Sequence, residues 1–294
     1  MATSRKHRIL IGNDGSPAAE AALATALRFP WGEGARARGV VARTHWLHGA
    51  PEGILSALSS HSEAVVEATQ RTLSAQWPGS QVVMVDENPA DALLHEAQRF
   101  KATAIVLGWR GHGTFHRLLA GSVSRTVAAH APCPVLVARQ APSSIRRFVI
   151  GFDGCANALR ALDFVCSLEP VWAGRVTLVN VLEPLSTPRT GGTLPAPARA
   201  LIRREAQALS EERAREARAA VDKAWTRLTA CGWSVKREMP TGAPLSRLLA
   251  AVDEHRADVL ILGARAVSGL ERALLGSVAN GALNHARVPV VIVR

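Results

Sequence analysis

The sequence predicts an α/β fold: two tandem five-stranded parallel-sheet sandwiches, Rossmann-like, one in each half of a 294-residue chain. Three observations carry this. The chain is long enough for two domains that each bury a core. Short, fully apolar runs alternate with amphipathic helical stretches, as in a parallel sheet covered on both faces. The same landmarks also appear twice in the same order.

The repeat is direct. Ile9-Leu10-Ile11-Gly12-Asn13-Asp14-Gly15 answers to Phe148-Val149-Ile150-Gly151-Phe152-Asp153-Gly154. Leu119-Ala120-Gly121-Ser122-Val123 answers to Leu274-Leu275-Gly276-Ser277-Val278, and His130-Ala131-Pro132-Cys133-Pro134-Val135 to His285-Ala286-Arg287-Val288-Pro289-Val290. Early landmarks are offset by 139 positions and later ones by 155, so the second half carries about sixteen extra residues. The Pro-, Gly- and Thr-rich stretch 183–198 accommodates them as a loop.

The first strand of each half is expected at 8–13 and 147–152, followed by helices at 17–28 and 156–167. The second strand is clear at 176–182 and weaker at 39–43. Helices follow at 62–76 and 198–230, then third strands at 81–85 and 234–238. Helices opening at Pro89 and Pro244 lead to fourth strands at 103–107 and 258–262. The last helices begin near Ser122 and Ser277, and the fifth strands lie at 134–138 and 289–293. Domains are placed at 1–142 and 143–294.

Composition narrows the function. Hydrophobic residues are 48% and charged residues 20%, a globular profile. No apolar run has the length of a membrane span, and no leader pattern opens the chain, so the expectation is cytoplasmic with no membrane partner. The net charge of +11 is spread as +4 and +7 over the halves, with only 4% aromatics, which argues against nucleic acid as partner. Four scattered cysteines, without a C-x-x-C pair, are expected to be reduced thiols. His112 and His116 lack a third ligand nearby, and no metal site is expected.

Chemistry should lie beyond the carboxyl ends of the strands. There the first half shows Gly108-x-x-Gly111, nine residues, then Gly121-Ser122. Glycines let backbone approach an anion closely, and free N–H groups at a helix start donate to phosphate oxygens. No Walker A loop is present. The segment matches in full the pattern G-x2-G-x9-G-[ST], and with Asp14 to Pro17, Arg117 to Val123 and Cys133 to Val135 it resembles the universal stress protein family along essentially the whole chain.

The resemblance implies an ATP site, with Mg, at the strand ends. Asp14 would contact the adenine or ribose, Val41 and Leu107 with Gly108 would lie against the nucleoside, and Gly111, Gly121, Ser122, Val123 and Ser124 would hold the phosphates. Asp14 also reads as a turn or cap residue for Gly15-Ser16-Pro17, and Ser122 as a plain helix cap. The second-half counterparts are Asp153, Val181, Gly263, Gly276 and Ser277, but Ala266 replaces the second glycine, so an impaired site is expected there. Trp109, beside the loop, is read as stacking on a ligand, blocking it, or covering apolar surface.

By the same resemblance the halves form a pseudo-dimer through their fifth strands. The function implied is a stress-response switch that binds ATP and hydrolyses it slowly or not at all, rather than an enzyme. The alternative is a nucleotide-independent scaffold. Besides adenine nucleotide, an unidentified protein partner is implied, and a homodimer of whole chains is compatible with the family.

Overall fold

The structure, a computed structural model, describes residues 6–43, 51–109, 122–185, 195–264 and 275–294. The first half runs β1 (Arg8–Gly12), α1 (Pro17–Arg28), β2 (Arg36–Ala42), α2 (Glu52–Gln76), β3 (Gln81–Val85), α3 (Pro89–Phe100), β4 (Ala104–Gly108), α4 (Ser122–His130) and β5 (Val135–Ala138). The second repeats it as β6 (Arg147–Gly151), α5 (Ala156–Ser167), β7 (Arg175–Val179), α6 (Ala196–Ala230), β8 (Ser234–Glu238), α7 (Pro244–Glu254), β9 (Val259–Gly263), α8 (Ser277–His285) and β10 (Val290–Val293).

All ten strands join one sheet in the order β3-β2-β1-β4-β5-β10-β9-β6-β7-β8. Within each half the pairings are parallel. The two fifth strands cross antiparallel, Val290 facing Val137 and Ile292 facing Val135, which is the pseudo-dimer that the family resemblance implied.

Period-two alternation divides the core between the two faces. Ile9, Ile11, Leu136, Phe148, Ile150 and Val291 pack beneath α1, α2, α5 and α6. Leu10, Ile105, Val135, Val149, Leu260 and Ile292 pack beneath α3, α4, α7 and α8. Both clusters run through the two halves. On the first face an aromatic group closes the junction: Phe29 stacks on Trp31 at 4.5 Å, meets Phe148 at 6.2 Å and Phe164 at 6.2 Å, and Phe148 meets Trp233 at 5.3 Å. A His7 ring nitrogen also lies 2.9 Å from the Ser167 carbonyl across the junction.

Three expectations need correction. The second helix of the first half begins at Glu52, ten residues before the expected 62, because Ser62 donates its hydroxyl back to the Leu58 carbonyl at 3.0 Å instead of capping. Strand β2 begins at Arg36: Ala37 is buried between exposed Arg36 and half-buried Arg38, which is held by Glu96 and Phe100 of α3, and these two charges break the apolar run at the strand's start. Finally, the cysteines are not all free.

Cys166, near the end of α5, is bonded to Cys231, the C-cap of α6, with Cα atoms 5.4 Å apart. Their separation of 65 residues hides the pairing in the sequence, and closing such a loop is worth about 4 kcal/mol in chain-entropy terms. Cys133 and Cys155 are free, and burial pushes the Cys133 thiol up to about 12. Denatured without reductant, the chain should therefore yield two reactive thiols per molecule, rising to four after reduction; four at the outset would mean the pair is open.

Candidate functional site

At the carboxyl ends of β1, β2 and β4 the first half opens a cavity of about 710 Å³. Its walls follow from local sequence. The β1–α1 turn is built by side chain-to-backbone bonds: Asn13 Oδ1 accepts the Gly15 amide at 2.9 Å and Asp14 Oδ1 accepts the Ser16 amide at 3.0 Å. Gly15 sits at φ 73°, a conformation that favours glycine. Ser16, not Asp14, caps α1, accepting from the Ala19 amide at 3.3 Å. Asp14 is thereby fixed, exposed, in the cavity wall.

Three helix N-termini converge on this cavity. Ser16 and Ala19 bring α1, Asn88 to Asp91 bring α3, and Ser122, Val123, Ser124 and Thr126 bring α4. Each presents orphan N–H groups and the positive end of a helix dipole, a setting that favours anions. The α3 wall was not among the expected site residues. Its signal was present in Asn88-Pro89, a cap followed by an N1 proline; Asn88 Oδ1 accepts the Ala90 amide at 3.0 Å.

Leu107 and Gly108 line the cavity at the end of β4. A methyl on Gly108 would lie 2.6 Å from the Ala19 amide nitrogen and nearer still to the Ala18 carbonyl, so this glycine lets α1 dock on β4. Val41 does not line the cavity; Val40 and Ala42 do, because successive strand residues point to opposite faces. Ser124 lines it, but its buried hydroxyl donates to the Gly108 carbonyl at 2.8 Å and ties α4 to the strand end. Gly111 and Gly121 lie outside the described residues.

Trp109 neither stacks on the cavity nor blocks it. The indole is 4% exposed, in the core beneath α3, α4, α7 and α8. Arg139 and Arg125 lie over it, 5.3 and 5.9 Å from the ring centroid. Arg139 donates to the Leu283 and Asn284 carbonyls at the end of α8, and Arg125 reaches Asn284 Oδ1 at 3.4 Å. Burial lowers the pKa of Arg139, yet the carbonyls it caps supply matching partial charge.

The second half keeps the plan with less space. Asp153, Val181, Gly263, Gly276 and Ser277 all surround one cavity, but it holds only about 110 Å³. Phe152, Pro244, Leu248 and Leu262 share its walls. Asp153 Oδ1 accepts the Cys155 amide at 3.0 Å, and Cys155, a weak acceptor, replaces the serine cap. Ala266 lies outside the described residues, as do His112 and His116.

Elsewhere, Glu238, Glu254 and His255 could meet one cation, but Lys236 Nζ already lies 2.7 Å from Glu238. Burial alone would raise the Glu238 carboxyl; hydrogen bonds from Lys236 and His255 outweigh it and lower its pKa. No helix among the described residues is long and apolar enough to cross a membrane.

Comparison with known proteins follows the same plan. The model of the universal stress protein family matches residues 6–139 and again 144–294. A universal stress protein of Thermus aquaticus is 44% identical over 62 residues, 21% of this chain and 45% of that protein, so the match spans less than half its length. One from Methanocaldococcus jannaschii is 26% identical over 158 residues, 54% of this chain and 87% of that protein. The crystal structure of a universal stress protein from Archaeoglobus fulgidus has the same fold, with a TM-score of 0.69 at 18% identity, covering 98% of this chain and 96% of that one.

Proposed function

Because this chain belongs to the universal stress protein family, with one copy of the family domain in each half, we propose that it is an ATP-binding regulatory protein of the stress response, with the nucleotide held by the first domain alone. The observation that carries this reading is the contrast between the two cavities. Ligand sites for molecules of nucleotide size occupy roughly 300–1,000 Å³. The first cavity, at about 710 Å³, falls within that range and the second, at about 110 Å³, falls well below it.

The chemistry of the walls fits the same ligand. Val40, Leu93 and Leu107 supply an apolar bed for a nucleoside, and Asp14 an acceptor for its hydroxyl or amino groups. The starts of α3 and α4 face the anionic end. Mg would enter with the phosphates, which with water usually supply most of its oxygen ligands, and Asp91 in the first turn of α3 is a cavity carboxylate that could add one. Bound there, Mg would neutralise part of the phosphate charge. Asp14, in turn, is positioned by its bond to the Ser16 amide and not by the ligand.

A switch needs an element that both states can bias. Helix α4 is suited to that role, since Ser122 and Ser124 line the cavity while the adjacent Arg125 faces Asn284 and Trp109. Occupancy would thus act on the crossing between the halves. Hydrolysis is proposed to be slow or absent, and the second domain to serve as a scaffold that presents this crossing to a protein partner.

The experiment is a paired substitution. Asp14→Ala should weaken Mg·ATP binding by roughly tenfold to a hundredfold, the cost of a charged hydrogen-bond partner. Asp153→Ala should leave affinity unchanged. Equal loss from both substitutions, or from neither, sinks the assignment to the first domain.

A further inference from the structure

The internal repeat serves as its own control for the seam between the first two helices of each domain. Register across the seam follows from the 139-residue offset of the first strands and from Leu73 and Leu228, both wholly buried at matching points of α2 and α6. In the first domain a polar network fills the seam. Asn13 Nδ2 donates to Glu20 Oε1 at 3.0 Å and to Thr69 Oγ1 at 3.0 Å. Val65 and His61 close over Gly15, with a built methyl on that glycine falling 2.7 Å from Val65 Cγ2 and 3.2 Å from His61 Nε2.

The three polar partners of that network, Asn13, Glu20 and Thr69, are all replaced by apolar residues in the second domain, and Glu216 takes the place of His61. Phe152 stands for Asn13, Leu159 for Glu20, Ala224 for Thr69 and Ala220 for Val65. The seam does not close. Among the described residues, its chain neighbours aside, a methyl built on Gly154 meets only Ala220 Cβ within 4 Å, at 3.9 Å. A cavity of about 510 Å³ remains between α5 and α6, lined by these residues with Leu162 and Ala219. The Cys166–Cys231 bond holds the two helices together below it.

Charge changes in step with polarity. Lys223 and Arg227, where α2 carries Ala68 and Thr72, stand at one end of the cavity. Arg227 is paired with Asp163 on α5, which leaves exposed Lys223 as the cation facing solvent at that end. Glu216 marks the opposite end, about 10 Å along the helix. Leu159, 44% exposed, forms an apolar lip.

We propose that this cavity is a binding site for an aliphatic carboxylate, its chain lying among Phe152, Leu159, Leu162 and the alanines and its head group on Lys223. The volume suits a small ligand, and a single cation beside an apolar slot orients a molecule with one charged end. Burial of the chain supplies the affinity, at about 25 cal/mol per Å² of apolar surface. The site owes nothing to the nucleotide cavity and would persist if that reading failed.

Dodecanoate is the probe, titrated calorimetrically into the full chain. Saturable binding of one molecule is expected. Ala220→Val restores the first domain's residue and fills the slot, so affinity should fall by roughly tenfold or more while the melting temperature holds or rises. Leu159→Glu, at an exposed position, repeats the test from the other wall and should also abolish binding. Lys223→Gln should weaken dodecanoate by about tenfold and leave dodecanol unaffected. Absence of saturable binding up to about 1 mM, or affinity unchanged in both Ala220→Val and Leu159→Glu, would overturn the proposal.

Discussion

Gly108→Val should abolish nucleotide binding and lower the stability of the first domain by about 3 kcal/mol, at the upper end of ordinary overpacking costs. The reason lies in backbone contact. The added carbon would sit 2.6 Å from the Ala19 amide nitrogen and closer to the Ala18 carbonyl, and neither can rotate away as a side chain can. Helix α1 would have to lift from β4, carrying Asp14 and Ser16 out of the cavity wall. Gly263→Val is the control. Its added carbon would meet the Asn157 and Ala158 backbone at 2.7 Å, so stability should fall by a similar amount. Nucleotide affinity should survive in that variant, because the second cavity is proposed to be empty of nucleotide. Chemical denaturation and an ATP titration on both variants separate these outcomes; lost affinity in Gly263→Val contradicts the assignment.

Phe148→Ala carries the second large effect, about 3–5 kcal/mol. Phe148 is 1% exposed and bridges the halves, meeting Phe29 of the first and Trp233 of the second. Truncation opens a cavity at the centre of a sheet that both halves share, where neither helix layer can collapse without moving the other. A fall in melting temperature on the order of 10 °C is expected by calorimetry. A shift below about 2 °C would mean that the aromatic junction contributes little and that the strand crossing, with the polar contacts of His7, Arg125 and Arg139, joins the halves.

Much of this architecture was legible in the sequence because it rests on local pattern. Fully apolar strands, proline at helix starts and the doubled landmarks specify elements one at a time, and the repeat then orders them. What escaped was set by distance or by half a period. Cys166 and Cys231 meet only because α5 and α6 end side by side, a fact no spacing encodes. Val40 and Val41 are adjacent and chemically alike, so only the pleat decides which faces the cavity. Trp109 read equally as a ligand contact, a block or a cover for apolar surface, and only the chain's course after β4, which turns it into the crossing beneath Arg139, selects the last. Arg36 and Arg38 hid the start of β2 because they interrupt the apolar run, and only in space does Arg38 find Glu96 and the Phe100 ring of α3. The size of each cavity was legible only in part: Ala266 raised the doubt about the second, whereas the wall residue that differs in space is Phe152, standing where the first cavity has Asn13.

The most direct test of the central claim is the stoichiometry of Mg·ATP on the nucleotide-stripped full chain, measured by titration calorimetry. One molecule per chain, bound roughly tenfold to a hundredfold more weakly in Asp14→Ala and unchanged in Asp153→Ala, is the predicted result. Two molecules per chain would show that the second cavity opens to a nucleotide and that its walls do not restrict it, and no heat at any concentration would remove ATP from the account altogether.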